Sequence, residues 1–105
     1  MIIRENDKQA IIDIAKETIK QPCRVLAFGS RVNGDAHDTS DLDLVIVSNS
    51  KKKIDIDEFM RFEDKLKESN IPIIVQVLDW YRIPESFHKN ILSNCEVLVA
   101  IENKE

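Results

Sequence analysis

The chain predicts an α/β domain of the α+β kind, a small mixed β-sheet of three to four strands flanked by helices. Three observations lead there. Apolar residues recur at helical spacing before residue 20, short branched apolar runs then alternate with further amphipathic segments, and the only two glycines, Gly29 and Gly34, punctuate the gap between the first two runs. With 105 residues and a hydrophobic fraction of 43%, one small core is expected, and 1–105 is read as one domain.

Residues 6–20 place Ile11, Ile12, Ile14, Ala15 and Ile19 near helical spacing, with Asn6 or Asp7 as the expected cap. Gln21-Pro22 stops this helix, because proline cannot continue the hydrogen-bond ladder, and 24–28 then reads as a short buried strand entering Gly29. Leu42 to Val47 is almost wholly apolar, as befits a central strand covered on both faces. Residues 55–69 predict a second helix with Ile56, Phe59, Met60, Phe62 and Leu66 on its apolar face. Asn70 and Pro72 end it, and 73–78 reads as a third strand with Asp79 and Trp80 at its exit. A third helix is expected from Pro84 or Glu85 to Ser93. The run 96–101 suits a terminal strand, although periodicity alone does not separate it from a buried helix.

Fifteen basic and nineteen acidic residues give a net charge of -4, which argues against a protein built to grip long nucleic acid through its phosphates. The start of the chain is charged early and no run approaches membrane-spanning length, so a cytoplasmic protein without leader or anchor is expected. Cys23 and Cys95 lack metal-ligand spacing and read as ordinary buried thiols. Lys51-Lys52-Lys53 reads as a solvated loop.

The chemistry gathers at Gly29-Ser30-Arg31-Val32-Asn33-Gly34, followed by Ser40-Asp41-Leu42-Asp43-Leu44. A Gly-Ser turn between a strand and a helix offers free backbone N–H groups and a hydroxyl, which suit a phosphate. Asp41 and Asp43, two apart as a strand begins, share a face and supply hard oxygen ligands, which favour Mg²⁺ held jointly with substrate phosphates. Each part is common alone. Their order and short separation describe a metal-dependent phosphate-transfer site.

These residues resemble the signature of the polymerase-beta-like nucleotidyltransferases, in particular the small minimal nucleotidyltransferases of bacteria and archaea, and the resemblance spans nearly the whole chain. It implies the nucleotidyltransferase fold, with a nucleoside triphosphate, ATP by preference, on Gly29, Ser30, Arg31 and Ser40. It also implies two Mg²⁺ ions on Asp41 and Asp43 as catalytic and metal-binding residues, and transfer of a nucleotidyl group to a hydroxyl. Proteins of this kind pair with a helical HEPN-domain partner as antitoxin to toxin, and some adenylylate a tyrosine on it. Self-association into a homo-oligomer stays open beside that partner. The family pattern carries a third carboxylate in the third strand, where this chain reads Val75-Gln76-Val77-Leu78-Asp79. Gln76 stands at that position. An amide oxygen can still ligate a metal, but an amide cannot act as a base near neutral pH, and a lost base typically costs about 100-fold to 10,000-fold in rate. Asp79, three residues on, points to the opposite face.

Two functions follow: an Mg²⁺-dependent enzyme moving AMP from ATP onto a partner's hydroxyl, or a catalytically impaired protein of the same fold that neutralises the partner by binding alone. His37, Asp35 and Asp38 read as loop residues, and His88 as structural or at a partner surface. Trp80 and Tyr81 read equally as core or as a contact patch.

Overall fold

Among the described residues the elements follow one another in the order α1 Glu5–Thr18, β1 Cys23–Phe28, α2 Ser30–Asn33, β2 Leu42–Ser48, α3 Ile56–Glu68, β3 Val75–Asp79, α4 Ser86–Ser93 and β4 Cys95–Ile101. The structure, a computed structural model, describes residues 3–33 and 41–102. The strands form one mixed sheet in the order β3-β2-β1-β4. β1 runs antiparallel to both β2 and β4, while β2 and β3 are parallel and joined through α3. The run 96–101 is therefore a strand, extended by one residue to Cys95, and its pairing with β1 shifts register between Val25 and Leu26.

Alternation along the strands sorts side chains onto two covered faces. On the first, Val25, Ala27, Leu42, Leu44, Ile46 and Val77 pack under α1 and α3, which contribute Ile11, Ala15, Phe62 and Leu66. On the second, Leu26, Val45 and Val47 pack with Ile91 of α4, joined at the margin by Phe28, Leu78 and Trp80. Leu42, Leu44, Val45 and Ile46 are wholly buried, as expected of a central strand. Each such side chain contributes about 1.5–3 kcal/mol through burial.

Two local expectations are corrected. α1 begins at Glu5, so neither Asn6 nor Asp7 is its cap: Arg4 occupies that position with extended backbone and no side-chain cap. Asp7 instead sits in the first turn, where its carboxylate accepts from Arg4 Nε at 2.9 Å and lies favourably in the field of the helix N-terminus. The third strand starts at Val75 and runs to Asp79, which makes Asp79 a member of the strand. α3 is capped as its sequence suggests, with Asp55 accepting from the backbone N–H of Asp57 at 2.8 Å. Cys23 is buried and Cys95 half-buried, both as free thiols. Among the described residues no helix is long and apolar enough to cross a membrane.

Candidate active site

β1 delivers the chain to Gly29 at the end of the sheet where β2 and β3 begin. Gly29 has a φ of +86°, and α2 starts at the next residue. A Cβ on Gly29 would lie 2.6 Å from Asp43 Oδ2, closer than real Cβ contacts allow. Glycine is favoured here by its backbone conformation, and any larger residue would also have to displace the Asp43 carboxylate. The pairing of Phe28 with Asp43 across the antiparallel ladder brings the two together.

Asp43 also pairs with Gln76 across the parallel β2–β3 ladder. Odd-numbered residues of β2 and even-numbered residues of β3 share the second face, so Asp41, Asp43 and Gln76 converge at one strand end. The Gln76 side-chain amide donates to Asp41 Oδ2 at 3.0 Å. Burial pushes the Asp43 carboxyl above its ordinary pKa, and the neighbouring charge of Asp41 adds to the effect. Asp79 is on the other face, where its side chain is wholly buried. Its carboxylate accepts from the backbone N–H of Ile54 at 2.8 Å, from Tyr81 N–H at 3.0 Å and from Arg82 Nε at 3.0 Å. It is a structural anchor.

Gly29, Asp43, Gln76 and Leu78 form the sheet side of a cleft of about 400 Å³. The opposite wall is α4 and its C-cap, through Phe87, Asn90, Ile91 and Asn94. The sequence reading assigned no site role to these four. The available signal is their spacing of three, four and seven residues, which puts them on one stripe of the helix. Ile91 is buried and fixes that stripe toward the sheet, while Phe87 stays 49% exposed.

Arg31 is elsewhere. It is 5% exposed and lines a separate hollow with Arg4, Asp7 and Ile73. Ser30 opens α2 beside the cleft residue Gly29. The Ser30 side chain lies outside the described residues, as do Gly34, Asp35, His37, Asp38 and Ser40. His88 stacks on Trp80 with ring centroids 3.7 Å apart and a hydrogen bond of 2.8 Å between Nε2 and the Trp80 carbonyl, so the pair holds α4 to the turn after β3.

The donor set fits a hard divalent cation. Asp41 and Asp43 supply carboxylate oxygens, and the charge of Asp41, which adds to the effect of burial on Asp43, is what a cation between them would offset. Among the described residues no group of three or more His, Cys, Asp and Glu side chains converges on a point. A cation held by these two carboxylates would need water and substrate phosphates to complete its shell, which suits Mg²⁺ better than structural zinc.

A sequence model of the polymerase beta nucleotidyltransferase family matches residues 9–104. The chain belongs to that family. It is 35% identical over 101 residues to a probable protein adenylyltransferase, MntA, of Haemophilus influenzae, covering 96% of this chain and 84% of that protein. Among solved structures, a toxin–antitoxin complex with AMP-PNP contains a chain that superposes with a TM-score of 0.71 at 18% identity, over 88% of this chain and 72% of that one. A tri-AMPylated HEPN toxin from Shewanella oneidensis in complex with MNT antitoxin gives 0.68 at 14% identity, over 92% and 72%. These structural likenesses establish a shared nucleotidyltransferase fold. Within it, this family member sets Gln76 beside Asp43, in ladder register.

Proposed function

We propose that the protein transfers AMP from ATP to a hydroxyl of a helical partner protein, acting as the antitoxin of a HEPN-type pair. The observation that carries this is the setting of Asp43 against the glycine turn, with Asp41 beside it, at the mouth of a cleft of nucleotide size. The MntA relative, named a probable protein adenylyltransferase, supports the choice of AMP.

In this reading the backbone at Gly29 and the start of α2 receives the triphosphate. Asp41 and Asp43 would hold Mg²⁺, whose charge would offset that of the triphosphate and of the departing pyrophosphate. Ladder pairing with Phe28 and Gln76 fixes the Asp43 backbone, and its carboxylate lies against Gly29, where it would face a metal-bound triphosphate. Gln76 holds Asp41 through its amide. The partner's hydroxyl oxygen bonds to the α-phosphorus, the bond from that phosphorus to the bridging oxygen breaks, and pyrophosphate leaves. The hydroxyl proton goes to water, since an amide does not accept it near neutral pH.

The test is incubation of the protein with its helical partner, labelled ATP and Mg²⁺, beside an Asp41→Asn/Asp43→Asn variant. Label on the partner that disappears in the variant supports transfer. The second reading, neutralisation by binding alone, draws on the same Gln76 amide, which occupies Asp41 with a neutral donor where a base would serve catalysis. Inhibition of the partner by both proteins without any label would establish that reading instead.

A further inference from the structure

The α4 wall of the cleft has no role in the phosphate chemistry, yet its composition is selective. Among the described residues lining the cleft only Asp43 is charged, and it lies at the sheet end. The helix end offers a half-exposed aromatic ring, Phe87, with Asn90 one turn further along the same stripe. An exposed phenylalanine on the helix stripe facing a cleft is not explained by the core, which takes Ile91 from that stripe instead. The Asn90 side-chain amide makes no hydrogen bond to another described residue, although its backbone carbonyl accepts from the Ser93 hydroxyl at 2.6 Å.

A wall with one aromatic ring and two carboxamides, Asn90 and, at the C-cap, Asn94, offers no charge to a phosphate or a charged acceptor group. It suits a flat, neutral heterocycle that stacks and presents a donor beside an acceptor. Adenine does so through N6 and N7, whereas guanine shows two acceptors on the same edge. Gly29 and Asp43 at one end and the α4 residues at the other line a single cleft of about 400 Å³, so a ligand whose phosphates sit beside Gly29 has α4 within reach of its base. We infer that α4 is the nucleobase seat of this protein, with Phe87 stacking on the base and Asn90 reading its amino edge, which selects adenine over guanine. The inference rests on the nucleotide-transfer reading above and adds to it the residues that choose the nucleotide.

The experiment is calorimetric titration of the full chain with ATP, GTP and inorganic tripolyphosphate, each with Mg²⁺, for the unmodified protein and for Phe87→Ala, Phe87→Tyr and Asn90→Ala. Phe87 and Asn90 are exposed positions, and far-UV circular dichroism verifies that each variant retains the fold. Stacking of a base on an aromatic ring predicts ATP affinity about tenfold above that of tripolyphosphate. Phe87→Ala removes most of that advantage and leaves tripolyphosphate affinity unchanged, while Phe87→Tyr retains it. Asn90→Ala brings ATP and GTP to the same affinity. Tripolyphosphate bound as tightly as ATP, or a Phe87→Ala loss shared equally by both ligands, overturns the nucleobase seat while leaving the phosphate site intact. Binding of none of the three by the unmodified protein overturns both the seat and the proposed function.

Discussion

The side-chain amide of Gln76 and the carboxylate of Asp41 meet across the parallel strands β2 and β3, Nε2 to Oδ2 at 3.0 Å. A neutral donor thus stands where a third negative charge would face Asp41 and Asp43. Gln76→Asp adds that charge, and without metal it should lower Tm through like-charge repulsion. With Mg²⁺ the order reverses, so the Tm gain on adding Mg²⁺ is larger for the variant than for the parent. If catalysis is limited by proton removal, labelled AMP transfer rises by about 100-fold. A Mg²⁺-dependent Tm shift no larger than that of the parent refutes the charge argument.

Gly29→Ala forces a Cβ to within 2.6 Å of Asp43 Oδ2 at a φ of +86°. The expected cost is about 1–3 kcal/mol of stability from backbone strain alone. Because the carboxylate has to swing away, nucleotide binding should fall further than stability does. Chemical denaturation and nucleotide titration of the same sample separate the two effects.

Asp43 gives the metal-free protein a pH signature. Its folded-state pKa is raised by burial first and by Asp41 second. A raised pKa means the folded state holds the proton more tightly than the unfolded chain. Its stability contribution is therefore fully present below the ordinary aspartate pKa and is lost as pH rises through the elevated one. Asp43→Asn should flatten that slope and raise Tm at neutral pH. Thermal melts in chelator across pH 4 to 7 measure it, and an unchanged slope counts against the assignment.

Asp79→Ala tests the opposite face. It strips the partners from three donors, on Ile54, Tyr81 and Arg82. Loss of a buried, hydrogen-bonded charge costs about 3–5 kcal/mol. Denaturant unfolding reads this directly, and a loss under about 1 kcal/mol would remove Asp79 from the structural anchors.

The thiols should differ in reactivity. Burial pushes the Cys23 thiol up to about 11, with the charge of Glu58 adding to the shift, so at neutral pH it presents almost no thiolate. Iodoacetamide labelling of the native protein should spare Cys23, and peptide mapping would locate any label. Modification of Cys23 at the rate of the denatured chain would contradict its burial.

Much of this architecture was legible in the residues because strand parity is strict. Asp41 and Asp43 at spacing two had to share a face, and Asp79 three residues beyond Gln76 had to leave it. The burial of Asp79 and the contact between Gln76 and Asp41 bear this out. Pro22, Pro72 and Pro84 marked ends and starts that hold to within a few residues. Less legible was anything decided by distant partners. Asp7 had the chemistry of a cap but found Arg4, and Asp79 joined β3 because Ile54 and Arg82 came to meet it. The α4 stripe was silent for another reason: Phe87 and Ile91 look alike in sequence, and only the packing of Ile91 into the core shows that Phe87 was left at the cleft.

α4 is attached to the rest of the domain by the buried Ile91 and by the stack of His88 on Trp80, a small anchorage beside the interlocked sheet. Elements held by few buried groups open locally before the whole molecule unfolds. The amides of α4 should therefore exchange their hydrogens sooner than those of β2, and any ligand resting on that helix slows them selectively. The wall opposite Asp43 is thus a built-in reporter of occupancy, readable by hydrogen exchange without knowing the ligand's name.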